Sequence, residues 1–230
     1  MAHRVADTIP TSQRRRRMSY KDYQAWFGDT NRGEWVDGEV IVFMPTTVRH
    51  ADLAGFLYTL LSHFARFHDL GRVFAESVEM SVRDGRSSRI PDLVFVGRAH
   101  ADRVTPARIV GAGDLAIELV SDDSVARDRV DKFAEYAAAG VAEHWIQDAR
   151  SGRQGSDFYR WTADGRYEPI PPDADGRIRS LVLPGFWLRP EWLLADPLPD
   201  PLDCLAEIAP EVLQRPRRGG GTADGGRDRA

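Results

Sequence analysis

Cysteine is nearly absent from this chain of 230 residues, where Cys204 stands alone. One cysteine excludes an internal disulfide and a cysteine-based zinc site. Lysine is almost as scarce: of 31 basic residues only Lys21 and Lys132 are lysine, and the other 29 are arginine. Long apolar runs are missing too, and nothing approaches the roughly 20 residues that span a bilayer. Residues 1–10 hold no apolar segment of the signal-peptide type, and the arginines at 14–17 are followed by none. With the single thiol, this sets the expectation of a reducing cytoplasm. There is no excess of positive charge. The formal net charge of −4 excludes a bulk-basic nucleic-acid binder. It leaves room for a local groove around a cleft that gathers carboxylates.

What is present suits a globular protein with one sizeable core, since 42% of the residues are hydrophobic and 29% charged. Residues 1–17 read as a disordered basic tail, 18–195 as one folded domain, and 196–230, rich in Pro and Gly, as a largely disordered second tail. Inside the domain, the spacing of Tyr20, Tyr23 and Phe27 after Ser19 predicts a short helix. Asp37-Gly38 between the strand-like runs 34–36 and 39–43 predicts a hairpin. Leu53, Leu57, Leu60, Leu61 and Phe64 place a helix over 50–68. Strands follow at 73–82, 91–96 and 115–120, then a helix from Ser124 or Asp128 to Ala139, stopped by Gly140. A strand at 143–148 comes next, then a second hairpin, 158–161 with 167–170. Residues 181–186 extend the sheet or pack beside it, and 190–194 form a last short helix. This order gives an α/β (α+β) fold, a mixed sheet with at least one parallel crossover and flanking helices.

Three side chains stand out for chemistry. Glu118 interrupts the apolar run Leu115-Ala116-Ile117-Glu118-Leu119-Val120. A carboxylate there is expensive without a partner. It either faces solvent from an edge strand, pairs with an arginine, or points into a cleft to ligate a metal. Asp92, in Pro91-Asp92-Leu93-Val94-Phe95-Val96, is ordinary turn chemistry by itself. Acids near the same end of two adjacent strands can share one cation, and magnesium needs only one or two carboxylates. Lys132 shares a helix face with Asp128 and Tyr136. An Asp128–Lys132 surface pair is the plain alternative. In so arginine-rich a chain, a retained lysine fits a compact ammonium that orients water or neutralises phosphoryl charge.

These segments resemble the Uma-type family of restriction endonucleases, within the PD-(D/E)XK nuclease superfamily. The resemblance rests on Glu34-Trp35-Val36-Asp37-Gly38-Glu39-Val40, His50, the runs holding Asp92 and Glu118, Asp128 to Lys132, Tyr136, and Gly140-Val141-Ala142-Glu143-His144-Trp145-Ile146. Their order and spacing over about 19–190 carry it; no single motif does. It implies a restriction endonuclease-like core with Asp92 and Glu118 as the acids holding Mg2+ or Mn2+. The superfamily's usual lysine position, two residues after the glutamate, is Val120 here. The Uma-type variant carries its lysine on the following helix, where Lys132 stands. Glu34, Glu39 and His50 are possible additional site residues; Glu143 and Asp148 are expected to hold loop and strand geometry. The implied activity is Mg2+-dependent endonucleolytic hydrolysis of nucleic acid, DNA in preference to RNA, by a homodimer without a membrane association. A catalytically silent binding protein on the same scaffold is the alternative. A carboxylate-pair glycosidase would leave Lys132 unexplained.

Overall fold

Among the described residues the chain forms two six-stranded sheets, one largely apolar and one carrying many charges, and a two-stranded one. The computed structural model describes residues 15–27, 32–43, 45–75, 78–83, 86–122 and 124–214. In chain order these contain strand β1 (Arg15–Arg17), helix α1 (Tyr20–Trp26), strands β2 (Gly33–Val36) and β3 (Glu39–Val42), and helix α2 (Val48–Phe67). Strands β4 (Gly71–Ala75), β5 (Met80–Arg83), β6 (Ser87–Arg89), β7 (Leu93–Gly97), β8 (Ile109–Val110) and β9 (Leu115–Val120) follow. A π-helical turn (Arg127–Asp131) runs straight into α3 (Lys132–Ala139). The rest comprises β10 (Glu143–Asp148), β11 (Gly155–Trp161), β12 (Tyr167–Pro169), β13 (Ile178–Arg179), β14 (Trp187–Leu188), α4 (Pro190–Leu194) and α5 (Pro201–Ile208). Among the described residues, no helix is long and apolar enough to cross a membrane.

The central sheet has the order β12-β11-β10-β9-β7-β4. Only β9 and β10 run parallel, with Glu118 opposite Ile146, so α3 is the crossover helix. Strand alternation divides β9 between two cores. Leu115, Ile117 and Leu119 join the α2 residues Leu53, Leu57, Leu60, Leu61 and Phe64 in one cluster. Ala116 joins Val94, Val96 and Tyr136 in another. Both faces are covered, which is why the strand reads as one apolar run. Glu118 lies in phase with Ala116 and therefore faces α3.

The second sheet has the order β1-β3-β2-β6-β5-β8. Asp37 and Gly38 both take positive φ, the conformation of a tight hairpin turn. Trp35 and Val40 pack with Tyr23 of α1, and alternation sends Glu34 to the opposite side, toward α3.

Several expectations are corrected. The single strand expected at 73–82 is two, β4 in the central sheet and β5 in the second. Both are partly buried, and residues 76–77 between them lie outside the described set. Arg15–Arg17, expected in the tail, pairs antiparallel with β3, and Arg15 and Arg17 reach Glu39. The remainder of that expected tail, 1–14, lies outside the described residues. In the stretch expected as a C-terminal tail, α5 is capped by Asp200, whose carboxylate accepts from the Leu202 amide at 2.7 Å. Its Cys204 and Leu205 are buried with the α2 cluster, and residues 215–230 lie outside the described set. Of the two places left open for residues 181–186, they take the second and pack beside the central sheet, with Leu183 and Phe186 buried.

Candidate active site

Glu118 is only 1% exposed. Its Oε2 accepts from Lys132 Nζ at 2.8 Å and its Oε1 from the Tyr136 hydroxyl at 2.7 Å. Both donors come from the crossover helix, so the strand and the helix that follows it build this contact together. Burial raises the Glu118 pKa well above the carboxylate range. Lys132 opposes that rise, while Asp128, Asp92 and Glu34 add to it.

Lys132 is as deeply buried as Glu118. Besides Glu118, its Nζ meets Glu34 Oε1 at 2.8 Å, the Ile90 carbonyl at 3.2 Å and Asp128 Oδ1 at 3.5 Å. Burial disfavours the ammonium, but Glu118, Glu34 and Asp128 outweigh it and hold the pKa above the ordinary lysine value. The surface Asp128–Lys132 pair is therefore corrected to a buried one. The π-helical turn brings both side chains inward. The Lys132 amide reaches back to the Arg127 carbonyl, and such widened turns recur at functional sites.

Glu34 closes the cluster from the second sheet. Its Oε1 accepts from the Ile90 amide at 3.1 Å and its Oε2 from Arg89 Nη1 at 3.0 Å. Arg127 Nε stands 4.0 Å from Glu34 Oε2 and 3.5 Å from Asp128 Oδ1. Burial works against the charged form of Glu34, yet Lys132, Arg89 and Arg127 outweigh it and bring the pKa down to about 2. Arg89 belongs to Glu34 and not to Glu118, whereas Lys132 is shared equally between them and Arg127 lies nearer Asp128. Asp128, whose pKa burial raises, is a third acid on Lys132.

Asp92 precedes β7 and lies at the rim, its side chain 22% exposed. Its Oδ2 accepts from the Leu119 amide at 2.7 Å, the residue next to Glu118. Its Oδ1 lies 3.3 Å from His50 Nε2. His50 occupies the first turn of α2, with its amide bonded to the Thr47 cap. Asp92, Glu118, Lys132, Glu34 and His50 therefore form one connected set. Glu39 is not brought in. It faces the same side as Glu34 but at the turn end of the hairpin, where it pairs with Arg15 and Arg17.

Among the described residues, no group of three or more His, Cys, Asp or Glu side chains is already arranged to hold a metal. The donor chemistry nonetheless suits a hard divalent cation, because oxygen ligands dominate and three carboxylates converge on the single Lys132 ammonium. Arg89, which sequence reading passed over, is almost fully buried. It makes two contacts to Glu135, at 3.0 and 2.8 Å, besides its bond to Glu34. The signal for it was weak, a Ser-Ser-Arg run that reads as loop.

No curated protein matches the chain. A solved structure with a similar fold is that of a putative nuclease belonging to DUF820 from Anabaena variabilis. It is 17% identical, with a TM-score of 0.62 over 76% of this chain and 97% of that one. At that identity the likeness speaks for the fold. The family profile described as "Uma2: Putative restriction endonuclease" matches residues 20–191, and so, with a nuclease-like fold and most of the sequence accounted for, the chain belongs to that family.

Proposed function

We propose that this protein is a divalent-metal-dependent endonuclease that hydrolyses phosphodiester bonds, with DNA as its substrate. What supports this reading is the nearness of Asp92, Glu118 and Lys132, which come from three separate segments of the chain. Lys132 Nζ lies 2.8 Å from Glu118, and Asp92 bonds the amide next to Glu118 at 2.7 Å. Asp92 and Glu118 are the residues to hold Mg2+ or Mn2+. A cation there supplies Lewis acidity to the scissile phosphate and the attacking water. Tyr136 fixes the Glu118 carboxylate, and His50 and the Leu119 amide fix Asp92. Lys132 supplies an ammonium beside the acids to offset charge on the phosphoryl oxygens. Asp92 at the rim marks the side from which a phosphate reaches the cluster. The family description, restriction endonuclease, favours DNA over RNA, and cutting both strands favours a homodimer with two such sites.

The test is nicking of supercoiled plasmid DNA by the full chain with Mg2+ or Mn2+, and again with EDTA. Metal-dependent nicking that Glu118→Gln abolishes is the expected result. Cleavage that persists in Glu118→Gln would contradict the assignment. Saturable metal binding without cleavage of any nucleic acid would favour a binding protein on this scaffold.

A further inference from the structure

Lys132 has more acceptors than protons. An ammonium carries three hydrogens. Its three nearest acceptors are Glu34 Oε1 and Glu118 Oε2, both at 2.8 Å, and the Ile90 carbonyl at 3.2 Å. Asp128 Oδ1 is a fourth at 3.5 Å, buried, with Arg127 Nε at the same 3.5 Å and no hydrogen bond to it among the described residues. Glu118 Oε2, the oxygen that Lys132 occupies, belongs to an acid assigned above to the metal. An ammonium and a divalent cation cannot both sit against one carboxylate oxygen without strong repulsion.

We propose that Lys132 is a built-in counter-cation that keeps the metal position filled, and that metal loading moves one of its hydrogen bonds from Glu118 to Asp128. The inference rests on the reading of Asp92 and Glu118 as the metal-binding pair. Glu34 is the fixed end of the exchange, since Arg89 and the Ile90 amide hold its carboxylate independently of the metal. The ammonium has only to close from 3.5 Å to ordinary hydrogen-bond distance, which lysine's flexible stem allows. This explains why four acids lie close together without a ready-made metal cluster: Lys132 takes the charge that a metal would otherwise meet.

The test measures Mn2+ binding to the full chain by the electron paramagnetic resonance signal of the free ion. Wild type is expected to bind, and Glu118→Gln to lose binding. Lys132→Met is expected to bind Mn2+ about tenfold more tightly or better, because a competing charge a few ångströms away is gone. Asp128→Asn is expected to weaken binding while Lys132 is present and to do little in the Lys132→Met background. Unchanged or weaker binding in Lys132→Met, alongside Glu118-dependent binding in wild type, overturns the exchange and leaves the nuclease reading standing. An equal loss from Asp128→Asn in both backgrounds also overturns it, by making Asp128 a ligand. No Glu118-dependent binding in any variant overturns both readings. Should Lys132→Met not fold, the wild type still decides. With two lysines, 13C-labelling of lysine Cε gives two signals, Lys132 and the exposed Lys21. Mg2+ is expected to move the first with saturation and spare the second. A Lys132 signal that stays fixed while Mg2+ binds overturns the proposal.

Discussion

Glu118 on β9 and Glu143 on β10 are buried carboxylates in adjacent parallel strands, pointing to opposite faces of the central sheet. Glu143 is satisfied entirely by neutral donors. Its Oε1 accepts from Trp145 Nε1 at 2.7 Å. Its Oε2 accepts from Ser180 Oγ and the Leu181 amide, both at 2.9 Å, and from the Val182 amide at 3.2 Å. These bonds pin the 180–183 turn to the sheet. Glu118 has a phenol and a shared ammonium, with three more acids nearby. Burial raises the pKa of both. The difference lies in what each could exchange. Backbone amides cannot leave Glu143 without unfolding the turn, whereas an ammonium can make way for another cation. A buried acid in an apolar strand is therefore ambiguous, and its donors decide whether it is a staple or a site.

The comparison can be broken most sharply by the isosteric pair. Glu118→Gln is expected to cut plasmid cleavage by about 10²-fold or more, the scale of losing one electrostatic element of a hydrolytic site. Glu143→Gln is expected to leave the cleavage rate of the folded protein unchanged. It should instead lower stability to denaturant by about 1–3 kcal/mol, because an amide has one acceptor oxygen and its NH2 must face a donor, Trp145 Nε1 or the three on the other side. Exchanged outcomes would invert the assignment.

His144 sharpens the contrast from the other direction. Next to Glu143 in sequence, it is buried among the rings of Phe133, Tyr136 and Tyr167, and neither ring nitrogen has a hydrogen-bond partner among the described residues. Burial, with Lys132 adding to it, lowers its pKa from 6.5 to about 3. The unfolded chain takes up a proton below pH 6.5 that the folded chain refuses until about pH 3. The stability from neutral His144 is therefore complete above that window and lost as pH falls through it, by up to about 1.4 kcal/mol per pH unit. Denaturation of His144→Phe across this range is expected to show a shallower acid limb; an unchanged limb would mean that His144 is not held neutral. The smallest effect belongs to Glu39, paired with arginines at the surface. Glu39→Gln is expected to shift stability by less than about 0.5 kcal/mol and leave cleavage intact.

Much of the central sheet was legible because its signals are local. Covered strands read as apolar runs, and Gly140 ends α3 in a left-handed conformation; in the second sheet the tight turn at Asp37-Gly38 was legible for the same local reason. Glu118 and Lys132 stood out for being costly or rare. The charged half was harder to read. Arg89 is buried only because the second sheet brings Glu34 and helix α3 brings Glu135 around it, and no periodicity reports such pairing. Asp128 looked like a surface partner because sequence spacing gives the helix face but not what covers it. The split of β4 from β5 escaped for a similar reason, since two partly buried strands read alike whichever sheet they join. Glu34 and Glu39 were indistinguishable as hairpin acids; their places along the strand, and Arg15 and Arg17 beside the second, separate them.

The central claim, that Asp92, Glu118 and Lys132 are one metal-dependent site, is tested most directly by crystals grown with Mn2+ and measured for anomalous scattering. The account predicts a peak bound by Asp92 and Glu118 carboxylate oxygens, with Lys132 still against Glu34. A Lys132–Glu118 contact left intact, with manganese bound elsewhere or not at all, would contradict it.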